Sequence, residues 1–456
     1  MWRRASALAV GLVVVCGTGG CFGDGSPDDS EPVPQPTAAQ LRASGLSELP
    51  VAPDADRVDL AAAPFSDPTT VTNPLFPISD LHSAVLNGRI EGKPFHTETT
   101  LLPHTRVIEW PPGHQVETLV SQYTAFLDGR IQEVALDYYA QADDGSVWYF
   151  GEDVADYNPQ GLIAFTTDSW LAGKDGPPAM IMPGDPKVGD AFRTENIPGV
   201  VFEEVTVKTL DKTVPGPPGP VQGAMVGREL HDDGMESDKV FAPGYGEFYT
   251  RDADGVEAMA LAVPTDAIGE PPPAELKTLS SAADRASSAV ESNSWQAALA
   301  AARTATDAWQ AYQRTGEVPP RLAPPVNRAV TALLAGISAR DRERAATAAI
   351  DVAQAALDLE LRYRPPTAID LARFGQWNRQ LIVDARAGRL GAARGDVVTM
   401  EWTRDRFADS IAGADRTQID TDLLVLGEGI QDEDLHAVAA QAAELRATLE
   451  SVQTSS

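Results

Sequence analysis

Two carboxyl groups on facing arms of one predicted hairpin are the feature of this sequence most suggestive of chemistry. Residues 138–157, YYAQADDGSVWYFGEDVADY, predict a β-hairpin that turns at Asp144-Gly145. A two-residue turn pairs residue 137 with residue 152, so Asp137 faces Glu152. Opposed carboxylates repel each other unless a proton, a cation or an arginine lies between them. We therefore expect a polar or cation site in this hairpin.

The same register gives the site an aromatic wall, because Gln141 and Tyr139 then share a face with the aromatic residues of the second arm. The predicted site consists of Asp137, Tyr139, Trp148, Phe150, Glu152 and Asp153. Two alternatives stay open. The strand could end at Gly151, which would turn Glu152 outward. A three-residue turn, Asp143-Asp144-Gly145, would shift the register and set Asp137 opposite Gly151.

A second group of acids lies in the C-terminal part of the chain, on the apolar stripes of two predicted helices. These candidate carboxylates are Asp370, Asp384, Glu401 and Asp405. Acids between helices can hold a cation, although such sites usually carry a Glu-x-x-His motif, which these two predicted helices lack. Arg373 follows Asp370 by three residues, and Arg404 follows Glu401 by three. This spacing favours internal ion pairs, and it leaves the presence of a metal unknown.

The elements that must position these residues fall into two domains. Residues 69–263 alternate between apolar and polar types, with turn signals such as Asn87-Gly88 and Asp128-Gly129. This pattern predicts an antiparallel sheet or a partly closed barrel. A proline-rich linker follows at 264–275. Residues 276–456 then predict an antiparallel α-helical bundle with helices near 276–291, 294–314, 325–337, 340–363, 367–387, 390–411, 416–428 and 432–452. The fold class is α+β.

The N-terminus has the pattern of an export signal. Arg3 and Arg4 precede an apolar run over residues 5–15, which is too short to span a bilayer permanently. The sequence TGGC resembles a bacterial lipobox, which predicts a signal peptide over 1–20 and lipidation of Cys21. The alternative is an ordinary secretory signal cut near Gly20. Residues 21–68, poor in apolar periodicity, predict a disordered tether.

Composition excludes several classes of function. The formal net charge of −30 argues against nucleic-acid binding, which needs a basic face. The chain has two cysteines, Cys16 and Cys21, and processing would leave no free thiol. None of the phosphate-binding, zinc-protease, hydrolase-elbow or EF-hand motifs is present, and we expect no cofactor.

Four segments resemble a recurrent β domain of bacterial exported proteins and lipoproteins that contains the sequence YFGED. They are NPLFP (73–77), YYAQADDGSVWYFGED (138–153), SWLAGKDGPPAMIMPGDPKVGDAFRTE (169–195) and FAPGYGEF (241–248). That family has no assigned activity, so the resemblance implies location and domain extent. Residues 364–407 resemble helical segments of actinobacterial envelope proteins.

Together these features predict a protein anchored by lipid at the outer face of the cytoplasmic membrane. Its expected role is non-catalytic binding, with an envelope protein as a possible partner. The alternative is a metal-ion or small-ligand binder that uses the acidic hairpin or the bundle carboxylates. A third possibility is an acid/base hydrolase that uses Asp137 and Glu152.

Overall fold

The computed structural model describes residues 30–166, 168–251 and 255–454. Its strands are β1 (Glu31–Pro32), β2 (Ala61–Ala62), β3 (Ser83–Ile90), β4 (Lys93–Glu109), β5 (Gln115–Leu127), β6 (Arg130–Gln141), β7 (Val147–Tyr157), β8 (Ile163–Phe165), β9 (Trp170–Leu171), β10 (Ala179–Met182), β11 (Ala191–Ile197), β12 (Val201–Pro215), β13 (Pro220–His231), β14 (Glu236–Ala242), β15 (Gly246–Arg251) and β16 (Gly255–Val263). Its α-helices are α1 (Ala38–Ala43), α2 (Ala274–Glu291), α3 (Trp295–Thr315), α4 (Ala323–Ala339), α5 (Arg342–Glu360), α6 (Pro366–Arg386), α7 (Leu390–Phe407), α8 (Gly413–Gln431) and α9 (Leu435–Leu449).

One large antiparallel sheet forms the first domain, as the sequence predicts. Its strand order is β10-β7-β6-β5-β4-β3-β16-β15-β14-β13-β12-β11, with β8 and β9 paired to β7. Most neighbouring strands follow each other in sequence and form hairpins, and the pairing of β3 with β16 joins the two halves of the domain. In the part of the chain described here, the end strands β10 and β11 contact each other without forming a ladder, so the sheet is not closed into a barrel.

Two details of the strand prediction are wrong for reasons of backbone packing. Asn87-Gly88, predicted as a turn, lies inside β3. A Cβ at Gly88 would come within 1.6 Å of the carbonyl oxygen of Val256 on β16, so glycine is present because two strands approach closely. Residues 95–110, predicted as two strands, form the single strand β4 with an irregularity between Leu101 and Thr105.

The second domain is helical and contains all eight helices that the C-terminal sequence predicts, α2 to α9. Helix α2 begins directly after Pro273, at the end of the proline-rich segment. Trp309 and Tyr312 of the predicted apolar stripe are 2% and 0% exposed, which shows that the stripe packs in the core. No helix among the described residues is both long and apolar enough to cross a membrane.

Residues 30–68 differ from the disordered tether that composition predicts, since they lie against β11 and β12. The buried guanidinium of Arg57 donates hydrogen bonds of 2.9 and 2.7 Å to the carboxylate of Asp59. Asp59 in turn accepts a hydrogen bond of 3.0 Å from the backbone N–H of Arg193. The side chains of Val33 and Leu46 are also buried. A few buried contacts of this kind leave no periodic pattern in the sequence. The signal segment and Cys21 lie outside the described residues.

Candidate functional site

The hairpin of β6 and β7 contains two irregularities that cancel. Its turn is the three-residue turn, because the N–H of Ala142 donates to the carbonyl of Ser146 around residues 143–145. This turn alone would pair Asp137 with Gly151. A bulge between the pairs Tyr139↔Tyr149 and Asp137↔Glu152 adds one residue to β7 and restores the facing carboxyl groups. The opposition of Asp137 and Glu152 is therefore confirmed, by a route that the sequence did not predict.

Gly151 makes this bulge possible. Its φ is +128°, and a Cβ there would lie 2.3 Å from the carbonyl oxygen of Trp170 on β9. No L side chain fits that combination of conformation and crowding without distortion. The alternative in which β7 ends at Gly151 is wrong, because β7 continues to Tyr157.

The bulge also changes which side chains accompany the two acids. Asp137, Tyr139, Tyr149 and Glu152 line one common cavity, called the inner cavity below. The rings of Tyr139 and Tyr149 stack with centroids 4.9 Å apart. Tyr149 takes the place that the two-residue turn assigns to Phe150, so the prediction of the aromatic wall is correct in kind and wrong in its members.

The other predicted members lie away from the inner cavity. Phe150 packs edge-on against Phe65, with ring centroids 5.3 Å apart, and Trp148 is fully buried in the same apolar core. Asp153 is on the outside of the hairpin, where it accepts hydrogen bonds from Tyr138 at 2.5 Å and from Arg106 at 2.8 Å. These three residues are structural in this fold.

The inner cavity has a volume of about 250 Å³ and is lined by side chains from strands along almost the whole sheet. Among the described residues, its ionisable lining apart from tyrosines consists of one lysine, one histidine and eight carboxylic acids. The acids are Glu133, Asp137, Glu152, Glu195, Glu203, Glu229, Glu247 and Glu257, and the bases are Lys239 and His231. The cavity therefore has a strong excess of potential negative charge.

A neutral polar group in the same wall has no partner. Ser121 on β5 pairs directly with Asp137 on β6, so Ser121, Asp137 and Glu152 form a row across three strands. The Ser121 side chain is 1% exposed and lines the inner cavity. Its hydroxyl oxygen has no hydrogen-bond partner in the described part of the chain. Buried hydroxyl groups usually have a hydrogen-bond partner, so this oxygen is free to bind a ligand atom or a water molecule.

Burial and mutual repulsion hold these carboxyl groups toward the neutral form. Burial is the main cause that raises the pKa of Asp137 to about 7, and a hydrogen bond from Tyr149 opposes the rise. Burial also raises the pKa of Glu152 well above its usual value, with Glu195 and Asp137 adding repulsion. The pKa of Glu257 rises to about 7 for the same first reason, with Glu247 as the repelling neighbour. A bound cation would reverse these shifts, because it stabilises the ionised carboxylates.

The far wall of the inner cavity already contains its own compensating charges. Nζ of Lys239 lies 3.2 Å from Oε1 of Glu229 and 3.4 Å from Oε2 of Glu247. His231 stands between two acids, with Nδ1 3.2 Å from Glu203 and Nε2 3.7 Å from Glu229. Burial lowers the pKa of Lys239, but attraction from Glu229, Glu247 and Glu203 outweighs it and keeps that pKa well above its usual value.

Ligand atoms of Glu203, Glu229 and His231 come within 4.8 Å of one another, which is close enough for one metal ion. However, the two imidazole nitrogens face different carboxylates, and Lys239 already contacts one of them. A protonated imidazole satisfies this arrangement without a metal. The cluster is thus a weaker candidate than the Asp137 side of the cavity.

A second, larger cavity of about 720 Å³ adjoins the inner one and lies between the sheet and helices α6 and α7. We call it the outer cavity. The residues Glu133, Glu152 and Glu195 line both cavities, so the two spaces share an acidic wall. Asp156, which faces Glu133 across β6 and β7, lines the outer cavity. Burial, followed by repulsion from Glu133 and Asp168, raises the pKa of Asp156 to about 7.

The four candidate carboxylates of the helical domain do not form one site. Asp370 belongs to a buried ion-pair network, in which Arg373 and Arg406 each approach its Oδ1 to 3.6 Å. Glu98 of β4 is the centre of this network, lying 3.2 Å from Arg373 and also paired with Arg406. The predicted pair of Asp370 with Arg373 is confirmed, and the network joins the two domains.

The remaining candidates are separated from Asp370 and from each other. Asp384 is 0% exposed and shares the guanidinium of Arg130 with Asp396, at 2.7 and 3.1 Å. Asp405 pairs at 2.9 Å with Arg404, whose main partner is Asp420 at 2.6 Å. Arg404 pairs with Asp405 and Asp420 and not with Glu401, so the predicted pair of Glu401 with Arg404 is wrong. A joint cation site of the four acids is therefore not formed.

Sequence reasoning missed most of the acids in the inner cavity, including Glu195, Glu203, Glu229, Glu247 and Glu257. Each lies in a strand that alternates polar with apolar residues, and such a polar face normally meets solvent. The sequence signal that could have indicated a buried acidic face is the excess of acidic over basic residues at these polar positions. No protein-family model matches this sequence, and neither does any curated protein sequence.

Proposed function

We propose that this protein is an exported, lipid-anchored binding protein that holds a small organic cation in the inner cavity, without catalysing a reaction. The observation that carries the proposal is the row of Ser121, Asp137 and Glu152 in the wall of an acid-lined cavity. An ammonium group there would receive two carboxylates and a hydroxyl oxygen that has no partner among the described residues. The stacked rings of Tyr139 and Tyr149 lie beside the row and form the aromatic wall of the cavity.

Charge favours a cation over an anion or a neutral ligand. Eight carboxyl groups border the cavity, and only the far wall has basic groups to compensate them. Without a ligand, protons supply the compensation, as the raised pKa of Asp137 to about 7 indicates. A cation that displaces these protons would gain charge-assisted hydrogen bonds to buried carboxylates.

Calorimetric titration at pH 8 tests the proposal with n-butylamine as the probe and n-butanol as its uncharged control. We expect saturable binding of the amine alone, and loss of that binding in the double variant Asp137→Asn with Glu152→Gln. Asp153→Asn, on the outside of the same hairpin, is the matched control and should bind like the parent. Equal behaviour of amine and alcohol would refute the proposal.

A metal-ion binder is the second candidate, supported by the geometry of Glu203, Glu229 and His231. Titration with calcium and with zinc distinguishes it, because His231→Gln would abolish metal binding while leaving amine binding in place. Metal binding that survives His231→Gln and disappears in the Asp137 and Glu152 variant would instead place the ion at the hairpin.

The location is a separate part of the proposal, supported by the TGGC sequence that ends at Cys21. We expect Cys21→Ser to move the protein from the membrane fraction to the soluble fraction of the cells that export it. The same distribution for parent and variant would contradict a lipid anchor.

A further inference from the structure

Strands β6 and β7 present three facing pairs in a row, and the order of the pairs is chemically specific. Asp137 faces Glu152, then Ala135 faces Val154, then Glu133 faces Asp156. Successive pairs are two residues apart, so all six side chains lie on one face of the hairpin. The row therefore reads acidic, apolar, acidic.

This row runs from one cavity into the other. Asp137 and Ala135 line the inner cavity, whereas Val154 and Asp156 line the outer cavity, and Glu152 and Glu133 line both. The strand rise of about 3.3 Å per residue sets the two acidic pairs about 13 Å apart. The apolar pair between them is buried, since Ala135 and Val154 are 3% and 6% exposed.

A ligand that matches this row has two positive groups at its ends and an aliphatic chain between them. We infer that the cation bound by this protein is a long linear diamine or polyamine, with one ammonium group at the Asp137 and Glu152 pair and another at the Glu133 and Asp156 pair. This inference rests on the proposed function and extends it by naming the class of ligand. The methylene chain would pack on Ala135 and Val154, where a charged or strongly hydrated chain would be unfavourable.

The two ends of the site differ in what else they offer. At the inner end, the unpartnered hydroxyl of Ser121 lies in the same row and gives the first ammonium group a third oxygen. At the outer end, the larger volume of 720 Å³ leaves room for a chain to enter from the side of helices α6 and α7. The inner end is thus the specific pocket, and the outer end adds the second charge contact.

Calorimetric titration of the full chain at pH 8 with diaminodecane and decylamine tests the inference, because the two probes share a chain length and differ by one ammonium group. We expect the diamine to bind about tenfold tighter than the monoamine, as for one added charge-assisted contact. Asp156→Asn, at the outer acidic pair, should remove this difference. Asp153→Asn, on the other side of β7, should preserve the difference.

The outcomes separate this inference from the proposed function. Equal affinities of the parent for diamine and monoamine would overturn the inference while butylamine binding still supports the proposed function. Failure of every amine to bind would overturn both.

A peptide with lysine residues at its two ends is the last probe, since its side chains carry the same ammonium groups. Weaker binding of the peptide than of the diamine supports a free polyamine as the ligand. Tighter binding of the peptide would overturn the inference in favour of a polypeptide partner.

Discussion

Tyr149 on β7 donates a hydrogen bond of 2.7 Å from its hydroxyl group to Oδ1 of Asp137 on the neighbouring strand. Both residues are at most 9% exposed, and the bond crosses the bulge that brings Glu152 into the same cavity. It is the contact that keeps Asp137 partly available as an anion, because it opposes the effect of burial on the pKa of this carboxyl group.

Tyr149→Phe should therefore weaken amine binding at pH 7. Without the hydrogen bond, the pKa of Asp137 rises above its present value of about 7, and a smaller fraction of the group is ionised. We expect a loss of affinity of roughly threefold to tenfold at pH 7 that largely disappears at pH 9. Tyr138→Phe, which removes a hydroxyl from Asp153 on the outside, is the control and should show no such dependence on pH.

Stability should fall as the pH rises from about 4.5 to 7, which is opposite to the behaviour of paired surface acids. Burial raises the pKa of Glu257 to about 7 in the folded protein, so the folded state binds a proton that the unfolded state has already lost in this range. The free energy of unfolding then decreases with pH, by up to about 1.4 kcal/mol per pH unit for each such group.

Glu257→Gln removes one of these groups, and urea unfolding between pH 4.5 and pH 8 measures the effect. We expect a shallower loss of stability than in the parent. Glu117→Gln is the matched control, because Glu117 is exposed and accepts a hydrogen bond of 2.5 Å from Thr105 much as Glu257 does from Thr97. Equal slopes in the parent and in Glu257→Gln would show that this carboxyl group is ionised throughout.

Gly151→Ala should destabilise the β domain more than a typical substitution at a glycine of positive φ. The new methyl group would meet the carbonyl oxygen of Trp170, whereas at Gly113, with φ of +86°, a Cβ has nothing within 4 Å. Comparing the thermal unfolding of the two variants separates the cost of the steric clash at position 151 from the cost of placing alanine at a positive φ, which applies to both. We expect Gly151→Ala to lose at least about 2 kcal/mol more than Gly113→Ala. Similar losses of stability in the two variants would mean that β9 shifts to accommodate the new methyl group without a measurable cost.

Glu98→Gln should destabilise both domains together. Arg373 and Arg406 hold the pKa of Glu98 well below its usual range, against the opposing effect of burial. Removing the negative charge leaves two buried guanidinium groups with less compensation, at a cost of about 3 kcal/mol or more. Glu236→Gln, which breaks a surface pair with Arg228 at 2.8 Å, is the control and should cost less than about 1 kcal/mol. Denaturant unfolding followed by near- and far-ultraviolet circular dichroism reports on both domains.

The helical domain was the most predictable part of the fold. Its apolar residues repeat with the period of a helix, and prolines such as Pro273 and Pro365 stand at helix starts, so all eight helices could be placed. The central hairpin was predictable as an element for a similar reason. Its turn chemistry and its alternation of residue types are both local properties of the sequence.

The site was only partly predictable, because it depends on contacts between distant strands. The bulge at Gly151 follows from the approach of β9, which no local pattern reveals. The acids of β11 to β16 join Asp137 only when the sheet wraps around one cavity, and in sequence they resemble an ordinary solvated face. The same limitation explains the wrong prediction of disorder for residues 30–68. Their composition is typical of disorder, yet they contain the buried ion pair of Arg57 and Asp59.

The proline-rich segment after residue 263 is a boundary of composition, and the Glu98 network joins the residues on its two sides through buried ion pairs. Arg406 reaches Glu98 across 308 positions of sequence. A polypeptide that stops at residue 263 would leave Glu98 without its two arginine partners and would uncover an apolar strip in the middle of its sheet. We therefore expect a change of charge at position 98 to destabilise the protein less when the charge at position 373 or 406 changes with it.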